Sequence, residues 1–300
     1  MSVAAKHRPP AALTTERAEP AEPAPAPARR RLPFSAWHLV LAPVAVVFAL
    51  PFIWMLLSSF MSNAQINQFP PTIIPDSLHV IGWDHVITRA SFPQWFLNST
   101  TVAAVTVASN LVFCSLAGYA FARLRFRGST LLFLLILATL IIPFQLTMIP
   151  TFIVMERLNL VDTLGALIIP ALVTPLGVFL MRQFFVNLPP EIEEAARIDG
   201  CSRLGVLLHV ALPLARPALA TLAALTFLIS WNDLLWPLIA INSENTFTLP
   251  LGLTSFQGQH RTDWAAVMAG NVITAAPVLI AFLFAQRTFI QSLTSSAVKG

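Results

Sequence analysis

Charged side chains punctuate this chain sparsely, and the gaps between them set its architecture. No Asp, Glu, Lys or Arg occurs in residues 32–75, 90–122, 128–155, 163–181, 217–232 or 264–286. A helix needs about 20 predominantly apolar residues to cross the hydrocarbon of a bilayer. Lipid offers no partner to free backbone groups, so only helices and closed barrels span it, and these runs are too long for barrel strands. The pattern predicts an all-α, polytopic membrane protein with six transmembrane helices near 36–60, 97–122, 130–153, 163–184, 209–238 and 264–288. The fifth rests on the shortest run and carries Asp233 near one end. Pro143, Pro150, Pro213, Pro217 and Pro277 lie in or beside these spans, where neighbouring helices tolerate kinks.

Composition agrees with lipid as the solvent. The chain has 300 residues, 56% hydrophobic and 11% charged, with a mean hydropathy of +0.72. Ordinary soluble domains carry about 25% charged residues. Residues 1–32 stand apart as a Pro/Ala-rich tail without apolar periodicity, ending in Arg29-Arg30-Arg31. Such a segment is expected to be disordered, leaving 33–300 as the membrane domain. With the N-terminus in the cytoplasm, every Lys and Arg except Arg89, Arg157 and Arg261 falls on the inner side, which places both termini inside. The net charge of +4 therefore reads as topology, and nucleic acid is not an expected partner because no basic run is interleaved with aromatics. Cys114 and Cys201 suggest no disulfide framework. The six histidines show no ligand spacing, so no metal or other cofactor is expected.

The polar segment 187–213, between the fourth and fifth spans, has the most ordered chemistry. Pro189-Pro190 stops the fourth helix, and Pro190 suits the first position of a new one. Glu191, Glu193 and Glu194 favour the positive end of its dipole, and Gly200 suits its C-terminal stop. The result is a helix of about two turns with Ile192, Ala195, Ala196 and Asp199 on one side. Ser202 can cap a second short helix. Two small residues on one face admit close approach of another surface, and the glutamates beside them can set register. A helix lying on anionic headgroups would instead carry Lys or Arg on its polar face.

Glu194-Ala195-Ala196, three residues, Gly200, nine residues, then Val210-Ala211-Leu212-Pro213 resembles the EAA loop of permease subunits of bacterial ATP-binding-cassette importers, with Val210 in place of the usual Ile. Gly118-Tyr119-Ala120-Phe121-Ala122-Arg123, the stretch Trp231-Asn232-Asp233-Leu234-Leu235-Trp236-Pro237-Leu238 and the terminal Ala297-Val298-Lys299-Gly300 resemble the carbohydrate-uptake branch, the maltose-type second permease in particular. The resemblance covers about residues 35–300 and implies the type I importer permease fold in a bacterial inner membrane. It also implies a second permease subunit, a dimer of cytoplasmic ATP-binding subunits and an extracytoplasmic solute-binding protein. Carried over, Glu194, Ala195, Ala196, Gly200, Leu212 and Pro213 couple to the ATPase, and Lys299 and Gly300 are further contacts.

No phosphate-binding Gly-x-x-x-x-Gly-Lys-Ser/Thr stretch occurs, so ATP chemistry is expected on other chains and no catalytic residue here. Gln145, Asn232 and Asp233 are candidates for the translocation path, since buried polar groups in membrane helices are expensive. Trp231 and Trp236 read as interfacial anchors, and so does Tyr119 near Arg123. The alternative is an ion-driven secondary transporter, which needs charge near the midplane; apart from Asp233 the spans hold none. A membrane enzyme lacks a nucleophile-base or carboxylate pair.

Overall fold

A computed structural model of the protein describes residues 37–88, 91–258 and 262–297, the stretch 284–297 as helix backbone only. The tail 1–32, Arg89, Arg261, Lys299 and Gly300 lie outside the described residues. Two compact units divide the chain, 1–48 and 49–300. The boundary falls inside α1 (His38–Ser58), and the packing described below belongs to the second unit.

After α1 come two short helices, α2 (Asn63–Ile66) and α3 (Ile81–Thr88), and then α4 (Phe92–Arg123). At 32 residues, α4 is about 48 Å long at 1.5 Å per residue, so it crosses about 30 Å of hydrocarbon and protrudes beyond it. Next are α5 (Ser129–Thr139) and α6 (Phe144–Arg157), bent by 103°. Pro143 at the start of α6 has an extended backbone, φ −59° and ψ 137°, and offers no N–H to continue α5. Then follow α7 (Leu164–Ile168), a 3₁₀ turn Ile169–Ala171 and α8 (Pro175–Val186). The polar segment forms α9 (Pro190–Ile198), α10 (Arg203–Val206), a π-turn Leu207–Ala211 and α11 (Leu212–Leu214). The π-turn lies where Pro213 denies the His209 carbonyl its usual N–H partner four residues on. The chain closes with α12 (Arg216–Trp231), α13 (Leu235–Ala240), α14 (Leu249–Leu253) and α15 (Trp264–Ala297). Among the described residues there is no strand, only an isolated bridge between Gln257 and Thr262.

Four helical stretches are long and apolar enough to cross a membrane, and six if each bent pair is one span. Two expected spans therefore need correction. The stretch 130–153 is a pair of helices meeting at a sharp angle. The stretch 209–238 is not one helix either: α12 is bent by 77° from the 203–214 segment and stops at Trp231, with α13 starting anew at Leu235. Backbone groups freed at such breaks must find other partners inside the protein.

Asn110 supplies such partners. Its amide donates to the Ala171 carbonyl (2.7 Å) and accepts from the Thr174 N–H (3.1 Å) and Oγ1 (2.7 Å), closing the gap between the 3₁₀ turn and α8. Here α4 and α8 lie very close. A Cβ on Gly118 would sit 2.7 Å from the Met181 Cβ and 2.8 Å from the Arg182 nitrogen, so only glycine fits. At the other end of α4, Trp95 is fully buried against Gly252 and donates its indole N–H to the Glu244 carbonyl (2.9 Å). The Asn98 amide donates to the Asn245 and Phe247 carbonyls. Along α5 and α6, by contrast, Leu131, Leu135, Ile141, Leu146 and Ile149 are exposed, an apolar surface of the kind that meets lipid or partner protein rather than water.

Asp263 holds the start of α15 against the short helices. It accepts from Asn63 Nδ2 (2.9 Å) and the Ala266 N–H (3.2 Å), and its Oδ2 lies 2.6 Å from His85 Nδ1. Burial pushes this carboxyl up, but the hydrogen bonds from Asn63, His85 and Ala266 outweigh it and leave it below the usual aspartate range. A depressed folded pKa stabilises the fold above the unfolded value of about 3.9 and loses that contribution as pH falls through the folded value. Asp263→Asn is therefore expected to lower the unfolding temperature in detergent at neutral pH, with the gap from wild type closing on acidification below about pH 4. Equal unfolding temperatures at pH 7 would remove this role from Asp263.

Candidate coupling site

The segment after α8 folds as its residue types dictate. Pro189 is extended and Pro190 occupies the first turn of α9. The other end closes on Gly200, whose φ of +87° is the left-handed conformation that costs glycine little. The Gly200 N–H donates to the Arg197 carbonyl and the Cys201 N–H to the Ala196 carbonyl, both at 3.0 Å. This paired closure is a Schellman motif. The Ser202 hydroxyl then caps α10 by accepting from the Gly205 N–H at 3.1 Å.

The expected grouping of Ile192, Ala195, Ala196 and Asp199 on one face fails at Ala196, the other three being exposed. Glu193 and Ala196 turn inward, 3% and 9% exposed, while Ala195 faces out beside Glu191, Glu194 and Ile198, the last 86% exposed. Consecutive helical residues are about 100° apart, so Ala196 follows Glu193, three positions earlier, onto the buried side. Gly200 is also exposed, and a Cβ there would meet nothing within 4 Å. Leu212 is partly buried against the bundle and Pro213 is exposed; both sit in α11, just before the bend into α12.

Glu193 organises this end of the bundle. Its Oε1 lies 2.9 Å from Arg123 Nε at the last residue of α4, off the hydrogen-bonding direction. The contact is thus an ion pair rather than a directed hydrogen bond. The Tyr119 hydroxyl lies 3.3 Å from Oε2 and donates to it, and Arg197 Nη2 is 3.8 Å away. Arg123 also donates through Nη2 to the Leu188 carbonyl. A buried carboxylate needs such partners, because desolvating an unpaired charge is costly. Tyr119 packs edge-on against Phe185, centroids 5.4 Å apart, and is buried; it is no interfacial anchor. Leu188, Leu207, Ala211 and Ala215 of the loop share one apolar cluster with Met181 and Phe185 of α8. The loop is thereby joined to α4 by charge and to α8 and α12 by packing. Beside it a polar cleft of about 360 Å³ is lined by Arg123, Arg125, Glu193, Glu194, Arg197 and Arg203.

The sequence assigns Glu193 only to the dipole of its own helix and Tyr119 to an interface. The pairing that joins Glu193 to Tyr119 and Arg123 spans seventy residues or more, beyond any local pattern.

The path candidates are not brought together. Gln145 is exposed in the first turn of α6, and Asn232 is exposed at the end of α12, donating to the Leu228 carbonyl (2.8 Å). Asp233 occupies the break before α13, accepts the Trp236 N–H at 3.4 Å and lines a cavity that the other two do not reach. Trp231 and Trp236 are core residues rather than anchors. They are buried, and their indole N–H groups donate to the carbonyls of Thr274 (3.0 Å) and Ala166 (2.9 Å). Among the described residues no group of three His, Cys, Asp or Glu side chains is placed to hold a metal ion.

The chain is similar to known transport proteins. The chain is 39% identical over 277 residues to the arabinooligosaccharides transport system permease protein AraQ of Halalkalibacterium halodurans, covering 91% of this chain and 99% of the relative. It is 34% identical to the sn-glycerol-3-phosphate transport system permease protein UgpE of Pectobacterium atrosepticum, over 88% and 96% of the two chains. A crystal structure of a bacterial ABC transporter involved in import of the acidic polysaccharide alginate contains a chain that superposes with a TM-score of 0.72 at 25% identity, over 85% of this chain and 98% of that one. The model of the binding-protein-dependent transport system inner membrane component matches residues 111–294, a stretch that contains the coupling loop, the π-turn and the broken fifth span. The chain belongs to that family of transport permeases.

Proposed function

We propose that this chain is the permease subunit of a bacterial inner-membrane importer that carries a sugar or sugar-like solute, and that α9 receives the driving motion from a separate ATPase. The observation that carries this reading is the division of α9 into two sides. One is free, with Glu194 and Ala195 exposed; the other is anchored through Glu193 to Arg123. A partner surface that engages the free side pulls on α4 through the ion pair and on α8 and α12 through the apolar cluster. The helices then shift as packed bodies between two states, an equilibrium that ATP and loaded binding protein both bias.

The family description and the permease names of the relatives support this role. The partners in it are a second permease subunit, a pair of cytoplasmic ATP-binding subunits and an extracytoplasmic solute-binding protein. Both termini lie in the cytoplasm, Lys299 and Gly300 add contact to the ATPase pair, and residues 33–300 make up the membrane domain behind the Pro/Ala-rich tail. Leu212 and Pro213 act as the backbone joint that carries motion of the loop into α12. No observation favours the ion-driven alternative.

The orientation of the two alanines yields a directional test. In the assembled complex, Ala195→Cys should crosslink to the ATPase subunit and Ala196→Cys should not; the reverse result would put the docking face on the wrong side of α9. Glu194→Lys should abolish ATP-driven uptake while the protein still inserts in the membrane. Uptake that survives this change would remove the docking role. Glu193→Gln leaves Arg123 without its counter-charge, and breaking a buried pair costs about 3–5 kcal/mol. The expected outcome is a lower unfolding temperature together with ATPase activity that no longer responds to loaded binding protein. Arg123→Met should do the same, and unchanged stability in both variants would show the ion pair to be dispensable.

A further inference from the structure

The Asp233 cavity has a volume of about 110 Å³ and lies among α4, α8, α12 and α13. That is room for several water-sized groups, since one water needs about 10–15 Å³ by the same measure. Its walls are mostly apolar, interrupted by the side chains of Thr106, Thr174, Thr226, Ser230, Asp233 and Thr248. Thr174 is already committed, to Asn110 and to the Gly177 N–H.

Thr106 and Thr248 are different. They are 2% and 4% exposed, yet neither Oγ1 has a hydrogen-bond partner. Thr100, Thr221 and Thr274 satisfy their hydroxyls on the carbonyls of Phe96, Pro217 and Gly270, four residues back in their own helices. Thr106 forgoes that bond although Val102 is available in the same helix. A buried hydroxyl left unpaired is destabilising, so both groups point to something that enters the cavity.

The lining states what that is. A hydroxyl both donates and accepts, whereas an ionised carboxylate only accepts. Asp233 therefore calls for a donor, and the threonine and serine hydroxyls serve either role. No Lys, Arg or His lines the cavity. A phosphate ester or uronate would bring a second negative charge beside Asp233 into apolar surroundings without a counter-ion, where desolvation and repulsion both oppose it. We infer that this cavity binds the hydroxyl edge of a neutral sugar unit and discriminates against phosphorylated and acidic solutes. Its small volume takes one ring edge at a time. This rests on the import reading and narrows it, because the relatives handle solutes as different as arabinooligosaccharides and glycerol 3-phosphate.

The test uses the complete importer in nanodiscs without its binding protein, so that only membrane sites are read. Arabinotriose, lactose, glycerol 3-phosphate and diguluronate are titrated, with the unfolding temperature as readout. A neutral sugar should raise it saturably and the two anions should not. Thr106→Val and Thr248→Val should each weaken sugar binding by about three- to tenfold, the worth of one neutral hydrogen bond. Thr106→Ser should retain it and so exclude misfolding as the cause. Asp233→Asn should relax the discrimination against anions. The inference is overturned if an anion binds as well as the sugars, if neither sugar shifts the unfolding temperature, or if the valine variants bind like wild type. ATP-driven uptake of the bound solute in proteoliposomes, with binding protein added, separates the two readings. Binding without uptake sinks the import reading alone, and uptake that ignores the valine changes sinks the cavity alone.

Discussion

Glu193 is buried beneath a two-turn helix, and the position of that helix depends on how its charge is neutralised. The neutralising group, Arg123, terminates a 32-residue helix that packs against α8, α12 and α14. Fixing one carboxylate therefore fixes a polar loop to a long helix at the centre of the packing. Apolar packing alone is non-directional and would let a small helix slide. The paired charges, the Tyr119 hydroxyl and the Leu188 carbonyl set its register.

The same chain breaks its helices inside two of its apolar spans. Pro143, Pro213 and the stop at Trp231 interrupt the backbone of the third and fifth spans. Lipid cannot satisfy the freed groups, so the breaks must face protein. Elsewhere in the bundle Asn110 and the indoles of Trp95, Trp231 and Trp236 bond to the carbonyls of Ala171, Glu244, Thr274 and Ala166, tying loops and helix ends to the core. The breaks serve two ends of the molecule. One, at the 77° bend between α11 and α12, connects the coupling loop to a span. The other, between α12 and α13, places Asp233 at a cavity.

Much of this was legible beforehand. The charge-free runs located four spans and the two bent pairs, and Pro190, the first-turn glutamates, Gly200 and Ser202 announced the short helices that follow α8, because capping and stop signals act within a few residues. The misreadings have one form. Ala195 and Ala196 were placed on one face, Trp231 and Trp236 at an interface, and the fifth span was drawn as continuous. Each is a judgement about which side of a residue faces protein, and in a chain this apolar nearly every face reads alike.

The sequence by itself determined the solvent, the class of fold and the short helices of the segment 187–213, since length of apolar runs, proline geometry and helix capping are local physics. Tertiary structure alone decided the pairing of Glu193 with Arg123 and Tyr119, the inward turn of Ala196, and the gathering of Thr106, Thr248 and Asp233 around one cavity. Those residues lie on helices far apart in the chain. What brings them together is the angle at which the broken helices pack, and that angle follows from close contacts such as Gly118 against Met181, which no local pattern encodes.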